Sequence, residues 1–174
     1  MRPQFTNLPD LAGFIGLRQE RLIAFDGRCG AGKSTAMQAM RSMLGVPGIE
    51  ADAYLNRGFG PWQWPYIDAL QFDQLRQELE QAMRLSKRVL LAGVCARQIV
   101  DLAGLPKATY IYVEDASPTL LESQRRDFDD DINAPDPDPC VHRLHWEVEE
   151  YHRSRYKPRS NADAVYFAVR SEEA

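Results

Sequence analysis

Apolar positions along the chain alternate between two spacings: short unbroken runs, and longer stretches in which they return every three or four residues. The unbroken runs are Arg21-Leu-Ile-Ala-Phe-Asp26, Val89-Leu-Leu-Ala-Gly93, Ala108-Thr-Tyr-Ile-Tyr-Val113 and Asp163–Val169. Continuous apolar character of this length predicts strands buried on both faces. Ile49-Glu-Ala-Asp52, after the Pro47-Gly48 break, reads as a further short strand ending on a carboxylate.

Between them the period is helical. Lys33–Leu44 places Ala36, Met37, Met40, Met43 and Leu44 on one face, and Tyr66–Ser86 does the same with Leu70, Phe72, Leu75, Leu79, Ala82 and Met83. Shorter helices are predicted over Leu8–Leu17 and Cys95–Ala103, and another over Val141–Tyr156. Ser117-Pro118 with Glu122 marks one more helix start. Strands alternating with helices predict an α/β fold, a three-layer parallel sheet flanked by helices.

Size and composition suit one such domain across residues 1–174. The chain can bury a substantial core, and its 44 % hydrophobic content is ordinary for a globular protein. A net charge of −4 argues against nucleic acid as a partner, because phosphate backbones demand clustered positive charge. No stretch approaches the roughly 20 apolar residues of a membrane span, and Met1-Arg-Pro-Gln lacks a signal-type apolar run, so the expectation is a cytoplasmic protein without a membrane partner. Three cysteines, Cys29, Cys95 and Cys140, show no metal-ligand spacing. Oligomeric state is not legible.

The strongest chemical signal is Gly27-Arg28-Cys29-Gly30-Ala31-Gly32-Lys33-Ser34-Thr35, a complete phosphate-binding loop between a strand and a helix. Gly27, Gly30 and Gly32 allow successive backbone N–H groups to turn inward toward phosphate oxygens. Lys33 is spaced to reach the outer phosphates, and the Ser34 hydroxyl is spaced to ligate magnesium. The following helix points its positive end at the same anion. ATP and Mg2+ are the expected cofactors. Cys29, inside the loop, is either a thiol activated by the N–H dipoles and Lys33 or simply a small residue that fits.

Two segments leave the alternating pattern. Ala53–Pro65 is loop-like and dense in aromatics, and Tyr54, Trp62, Trp64 and Tyr66 form either a stacking wall for a ligand or a small satellite core. From Asp127 to Pro139, aspartates interleave with prolines, which excludes helix and inner strand. That stretch is either a solvated acidic linker or part of a mobile lid, about 125–140, whose preceding helix delivers Arg125 and Arg126 to a transferring phosphate.

Ile23–Thr35 resembles the opening of P-loop small-molecule kinases of the uridine kinase and phosphoribulokinase-like family. Weaker matches follow in order: Asp52 with Tyr54, Trp64-Pro65 and Asp68, Phe72-Asp73, Val89–Gly93, Arg125-Arg126-Asp127, and Tyr156-Lys-Pro158 before Ala162-Asp163. The resemblance implies transfer of the ATP γ-phosphate to a hydroxyl of a nucleoside or similar small molecule. It assigns Asp52 to the acceptor hydroxyl, Lys33 with Arg125 and Arg126 to phosphate charge, and Tyr54 and Trp64 to the acceptor. Asp52 at a strand end also suits the rule that ligands bind at the carboxyl ends of parallel strands, although such an Asp can equally cap a turn.

One departure matters. Where the uridine kinase pattern has glutamate before glycine, this chain has Ala92-Gly93, so Asp52 does both jobs, another acid such as Glu114 substitutes, or the protein is a catalytically weak nucleotide binder of the same fold. Asp26 reads as a local hydrogen-bonding residue. His142, His145 and His152 share a predicted helix, but three histidines alone do not make a metal shell. Leu144, Trp146, Val148 and Tyr151 read as packing residues. Arg57 and Arg97, and the basic run Arg153, Arg155, Lys157 and Arg159, read as solvated, with contact to a phosphate as the alternative. No Asn-Lys-x-Asp guanine-reading sequence supports a GTPase switch.

Overall fold

The computed structural model describes residues 2–56, 65–116 and 139–168, with 139–143 and 145 described by backbone alone. The helix predicted from Ser117, the lid residues 125–138, Arg57, Trp62, Trp64, Arg125 and Arg126 lie outside the described residues, as do the side chains of Cys140, His142 and His145.

Six strands, β1 (Gln4–Phe5), β2 (Leu22–Asp26), β3 (Gly48–Glu50), β4 (Val89–Ala92), β5 (Ala108–Asp115) and β6 (Ala164–Ala168), form one all-parallel sheet in the order β1-β6-β5-β2-β4-β3. Alternation within the apolar runs divides the core. Leu22 and Ala24 of β2, with Val89 and Leu91 of β4, pack on one face; Ile23 and Phe25, with Leu90 and Ala92, pack on the other. The second face is covered by α1 (Leu8–Gly16) and α2 (Lys33–Leu44) through Leu11, Ile15, Met37 and Met40. The first is covered by α3 (Tyr66–Ala69), α4 (Phe72–Leu85), α5 (Ala96–Leu102) and α6 (Pro139–Arg153), and α7 (Pro158–Asn161) precedes β6. Burying a residue such as Phe25 on these faces contributes about 1.5–3 kcal/mol.

β2 is central, hydrogen-bonded to β4 on one side and β5 on the other. The connection from β2 runs toward the β3 edge and the connection from β4 returns past β2 to β5. That reversal opens a crevice at the carboxyl end of β2, the place where open parallel sheets bind ligands.

Three sequence expectations are corrected. The strand read as Ile49–Asp52 ends at Glu50, and Ala51–Tyr54 is a 3-10 turn, so Asp52 lies beyond the strand. The helix read as Tyr66–Ser86 breaks at Leu70–Gln71. There Leu70 pairs with Leu55, the Gln71 N–H donates to the Tyr54 carbonyl at 2.9 Å, and the Asn56 N–H donates to that of Ala69 at 2.9 Å. Pairing across the chain outweighs an uninterrupted apolar period. The acidic, proline-rich stretch yields at Pro139, which sits in the first turn of α6, where a missing N–H costs nothing. β1, two residues held by β6, has too short a pattern to be read from sequence. Among the described residues no helix is long and apolar enough to cross a membrane.

The close approach of β2 to β5 sets the first test. Gly27 has φ +149°, and a Cβ placed there would lie 2.4 Å from the backbone oxygen of Val113. Gly27→Ala is expected to cost at least about 2 kcal/mol, read as a lower urea midpoint at unchanged m-value.

Candidate functional site: a phosphate loop facing an acidic wall

α2 begins without a side-chain cap. Its Ncap, Gly32, takes the left-handed conformation (φ 87°), as does Gly30 (φ 72°), which turns the loop so that the first-turn backbone of α2 opens into a cavity of about 960 Å³. The exposed side chains of Ser34 and Thr35 border this cavity. Lys33 borders it too, but is largely buried, and its Nζ donates to the Arg28 carbonyl across the loop at 2.5 Å. Burial lowers the Lys33 pKa; Cys29, Asp26 and Asp52 oppose that shift.

The base of the loop is held from below. Asp26 is 2 % exposed, and its carboxylate accepts the Gly27 N–H (2.7 Å), the Arg97 N–H (3.2 Å) and the Tyr151 hydroxyl of α6. Burial raises the Asp26 pKa against these hydrogen bonds, and the phenol of Tyr151 is likewise pushed far up by burial and by Asp26. Two residues away on α6, Glu149 pairs with Arg28 of the loop. Asp26 is thus the hydrogen-bonding residue the sequence suggested.

Asp52 stands on the 3-10 turn, exposed, on the wall of the same cavity as Lys33 and Ser34. Its Oδ1 accepts the Tyr66 hydroxyl at 2.6 Å. Tyr66 itself is buried, and its phenol pKa is driven up by desolvation and then by Asp52. The other carboxylates on the wall are Glu50, Glu147 and Glu150. Sequence reasoning missed these three. Glu50 accepts from Gln38 of α2 at 3.1 Å, and Glu147 accepts the backbone N–H groups of Tyr66 and Ile67 at 2.5 and 2.9 Å. Burial raises the Glu147 pKa even so. Partners that are main-chain N–H groups leave no trace in a side-chain pattern, so only the density of Glu on α6 was visible.

Several other sequence readings change. Tyr54 does not border the cavity: it lines a separate groove on the α4 side and interacts with Glu78 there. Trp146, read as packing, is 58 % exposed and lines the cavity, whereas Val148 and Tyr151 are buried as expected. Glu114 pairs with Arg159 at 2.9 Å away from the cavity, so it does not replace the acid absent at Ala92. Arg155 pairs with Asp101, and Arg97 stacks 3.7 Å from the Tyr110 ring centroid while donating to the Asn161 carbonyl. His152 donates from Nδ1 to the Val148 carbonyl at 2.6 Å and accepts the Tyr112 hydroxyl at Nε2, 3.0 Å away, with its pKa lowered by burial. Both of its ring nitrogens are taken up by structural hydrogen bonds. The Cys29 thiol is raised by burial, which outweighs Lys33, so the loop does not activate it.

The donor set suits magnesium. Among the described residues no three His, Cys, Asp or Glu side chains cluster into a metal cage. What the cavity offers is the Ser34 hydroxyl and, on the same lining, the Glu50 carboxylate, hard oxygen donors suited to an ion that takes most of its ligands from phosphates and water.

The fold is similar to that of solved structures described as kinases. A possible uridine kinase from Bacillus stearothermophilus superposes with a TM-score of 0.55 at 14 % identity, over 91 % of this chain and 96 % of that one. A candidate fructose transport system kinase from Silicibacter sp. TM1040 superposes with a TM-score of 0.52 at 18 % identity, over 92 % and 98 %. No protein-family model matches the chain, and no curated protein matches it in sequence. At such identities the shared property is the α/β P-loop kinase-like fold.

The buried lysine generates a pH prediction. A triphosphate binds the protonated amine, so MgATP affinity is expected to fall as pH rises through the lowered Lys33 pKa, beginning below the ordinary lysine value of 10.5. Fluorescence titration of MgATP across the alkaline range checks this, and Lys33→Ala should flatten the dependence.

Proposed function

We propose that the chain, as a single domain, is an ATP-dependent phosphotransferase that moves the γ-phosphate to a hydroxyl of a nucleoside or similar small molecule. The observation that carries the reading is the shared cavity: Lys33 and Ser34 of the loop and the Asp52 carboxylate all border it.

In this reading backbone N–H groups of the loop and of the first turn of α2 cradle the triphosphate and Lys33 neutralises charge building on the γ-phosphoryl group. Ser34, with Glu50 on the same lining, would hold magnesium, which would supply further charge neutralisation at the phosphates. The acceptor oxygen attacks the γ-phosphorus in line, the bond to the β–γ bridging oxygen breaks, and ADP leaves. The hydroxyl proton passes to the Asp52 carboxylate, oriented by Tyr66. Arg125 and Arg126 complete the charge clamp in this proposal. Positioning and electrostatics carry the rate, and no covalent enzyme intermediate is needed.

Trp146 and Tyr66, both on the cavity wall, support an acceptor with a flat or apolar face, the role the sequence suggested for Tyr54 and Trp64. A cytoplasmic location is part of the same proposal, resting on two free cysteines, Cys29 and Cys95. A second reading, a nucleotide binder with little turnover, is favoured by Ala92, which puts a methyl group where the resembled family has a carboxylate.

An ADP-release screen over nucleosides, vitamins and sugars separates the two. Turnover with at least one hydroxyl compound supports the kinase; MgATP binding without any phosphorylated product supports the binder. Asp52→Asn is expected to lower kcat by roughly 10²–10⁴-fold with little change in MgATP affinity. Lys33→Ala should impair both.

A further inference from the structure

α3 is a single turn of four residues, Tyr66–Ala69, and a helix that short does not sustain itself in isolation. Its Ncap, Pro65, supplies no side-chain hydrogen bond. The cap instead comes from another element: Glu147 of α6 reaches across and accepts the first two N–H groups, those of Tyr66 and Ile67. A charged acceptor on two backbone donors is among the stronger hydrogen-bond arrangements. It fixes the backbone of Tyr66 where the chain enters from the 57–64 segment.

What that fixing controls is the aim of the Tyr66 ring. The ring is buried against the core, 7 % exposed, and its hydroxyl ends 2.6 Å from Asp52 Oδ1. Asp52 sits on an exposed 3-10 turn whose Ncap makes no side-chain hydrogen bond. α6 also holds the phosphate loop, through Glu149 to Arg28 and Tyr151 to Asp26. One helix therefore sets both the nucleotide half and, by way of Tyr66, the carboxylate half.

We propose that Glu147 is a positioning residue for Asp52, acting through the α3 backbone and the Tyr66 hydroxyl, so that the carboxylate is held toward the phosphate loop. The inference rests on the phosphotransfer reading for its meaning, but the arrangement can be measured without any acceptor. Misplacing a catalytic group by about 1 Å costs on the order of 10²-fold in rate.

The test uses the full chain with 13C-labelled aspartate and MgATP as the only ligand. The Asp52 carboxyl resonance is assigned by its loss in Asp52→Asn and followed in Tyr66→Phe, in Glu147→Gln and in the double variant. The expected result is that each single variant displaces the resonance in the same direction, the double variant displaces it no further than Tyr66→Phe, and the MgATP Kd stays within about twofold throughout. A wild-type resonance in Glu147→Gln overturns the proposal, and so does a displacement that adds to that of Tyr66→Phe, because both mean that Glu147 does not act through the phenol. Should Glu147→Gln fail to fold, Glu147→Asp, with a reach one carbon shorter, is read by the same criteria. Failure of the phosphotransfer reading looks different: no hydroxyl compound is phosphorylated, or Asp52→Asn turns over like wild type, whatever the resonance does.

Discussion

The buried carboxylate of Asp26 is the interaction on which the rest of the site depends. It ends the central strand, receives donors from the phosphate loop, from the start of α5 and from α6, and has almost no solvent to fall back on. A carboxylate removed from water is costly unless its oxygens are satisfied, and here three protein donors replace the lost hydration. Because each donor belongs to a different element, satisfying one charge fixes three pieces of backbone at once. Gly27, Gly30 and Gly32 take positive φ, which glycine adopts freely, and the loop and the first turn of α2 border the cavity.

From that anchor the geometry extends outward along α6. A helix whose successive turns face different parts of a cleft can serve as its frame, and α6 does so with ordinary side chains: a phenol to the strand end, a carboxylate to the loop arginine, another to the first turn of α3. The absence of an acid at position 92 looks different against this frame. The Ala92-Gly93 end of β4 packs against the turn that carries Asp52 so tightly that a Cβ on Gly93 would lie 2.9 Å from that of Ala51. Carboxylates reach the cavity instead from β3, from the 3-10 turn and from α6. The loss of one acid leaves the wall acidic.

Sequence and structure agree where local physics decides. β2 and α2 were legible nearly to the residue, because an apolar run, a glycine bend and a helical period follow one another without conflict, and α2 ends at Gly45 in the left-handed cap that such a residue favours. Agreement fails where a distant partner decides. Nothing in Tyr66–Ser86 announces that Leu55 will pair with Leu70 and break the helix, and the strand signal in Ile49–Asp52 contains no sign of a 3-10 turn. The same holds at the site. Lys33, Ser34 and Asp52 line one cavity, residues singled out by type and spacing, whereas Tyr54 lies on the α4 groove, Trp146 lines the cavity, and Glu147 pairs with main-chain groups far along the sequence.

The pairing of β1 with β6 joins opposite ends of the described chain: Gln4 lies beside Val165, and the Val165 N–H donates to the carbonyl of Pro3. This edge of the sheet therefore forms only when segments separated by most of the described chain are brought together. A parallel sheet with such long-range closure folds slowly, and its half-made edge is open to other chains in the interval.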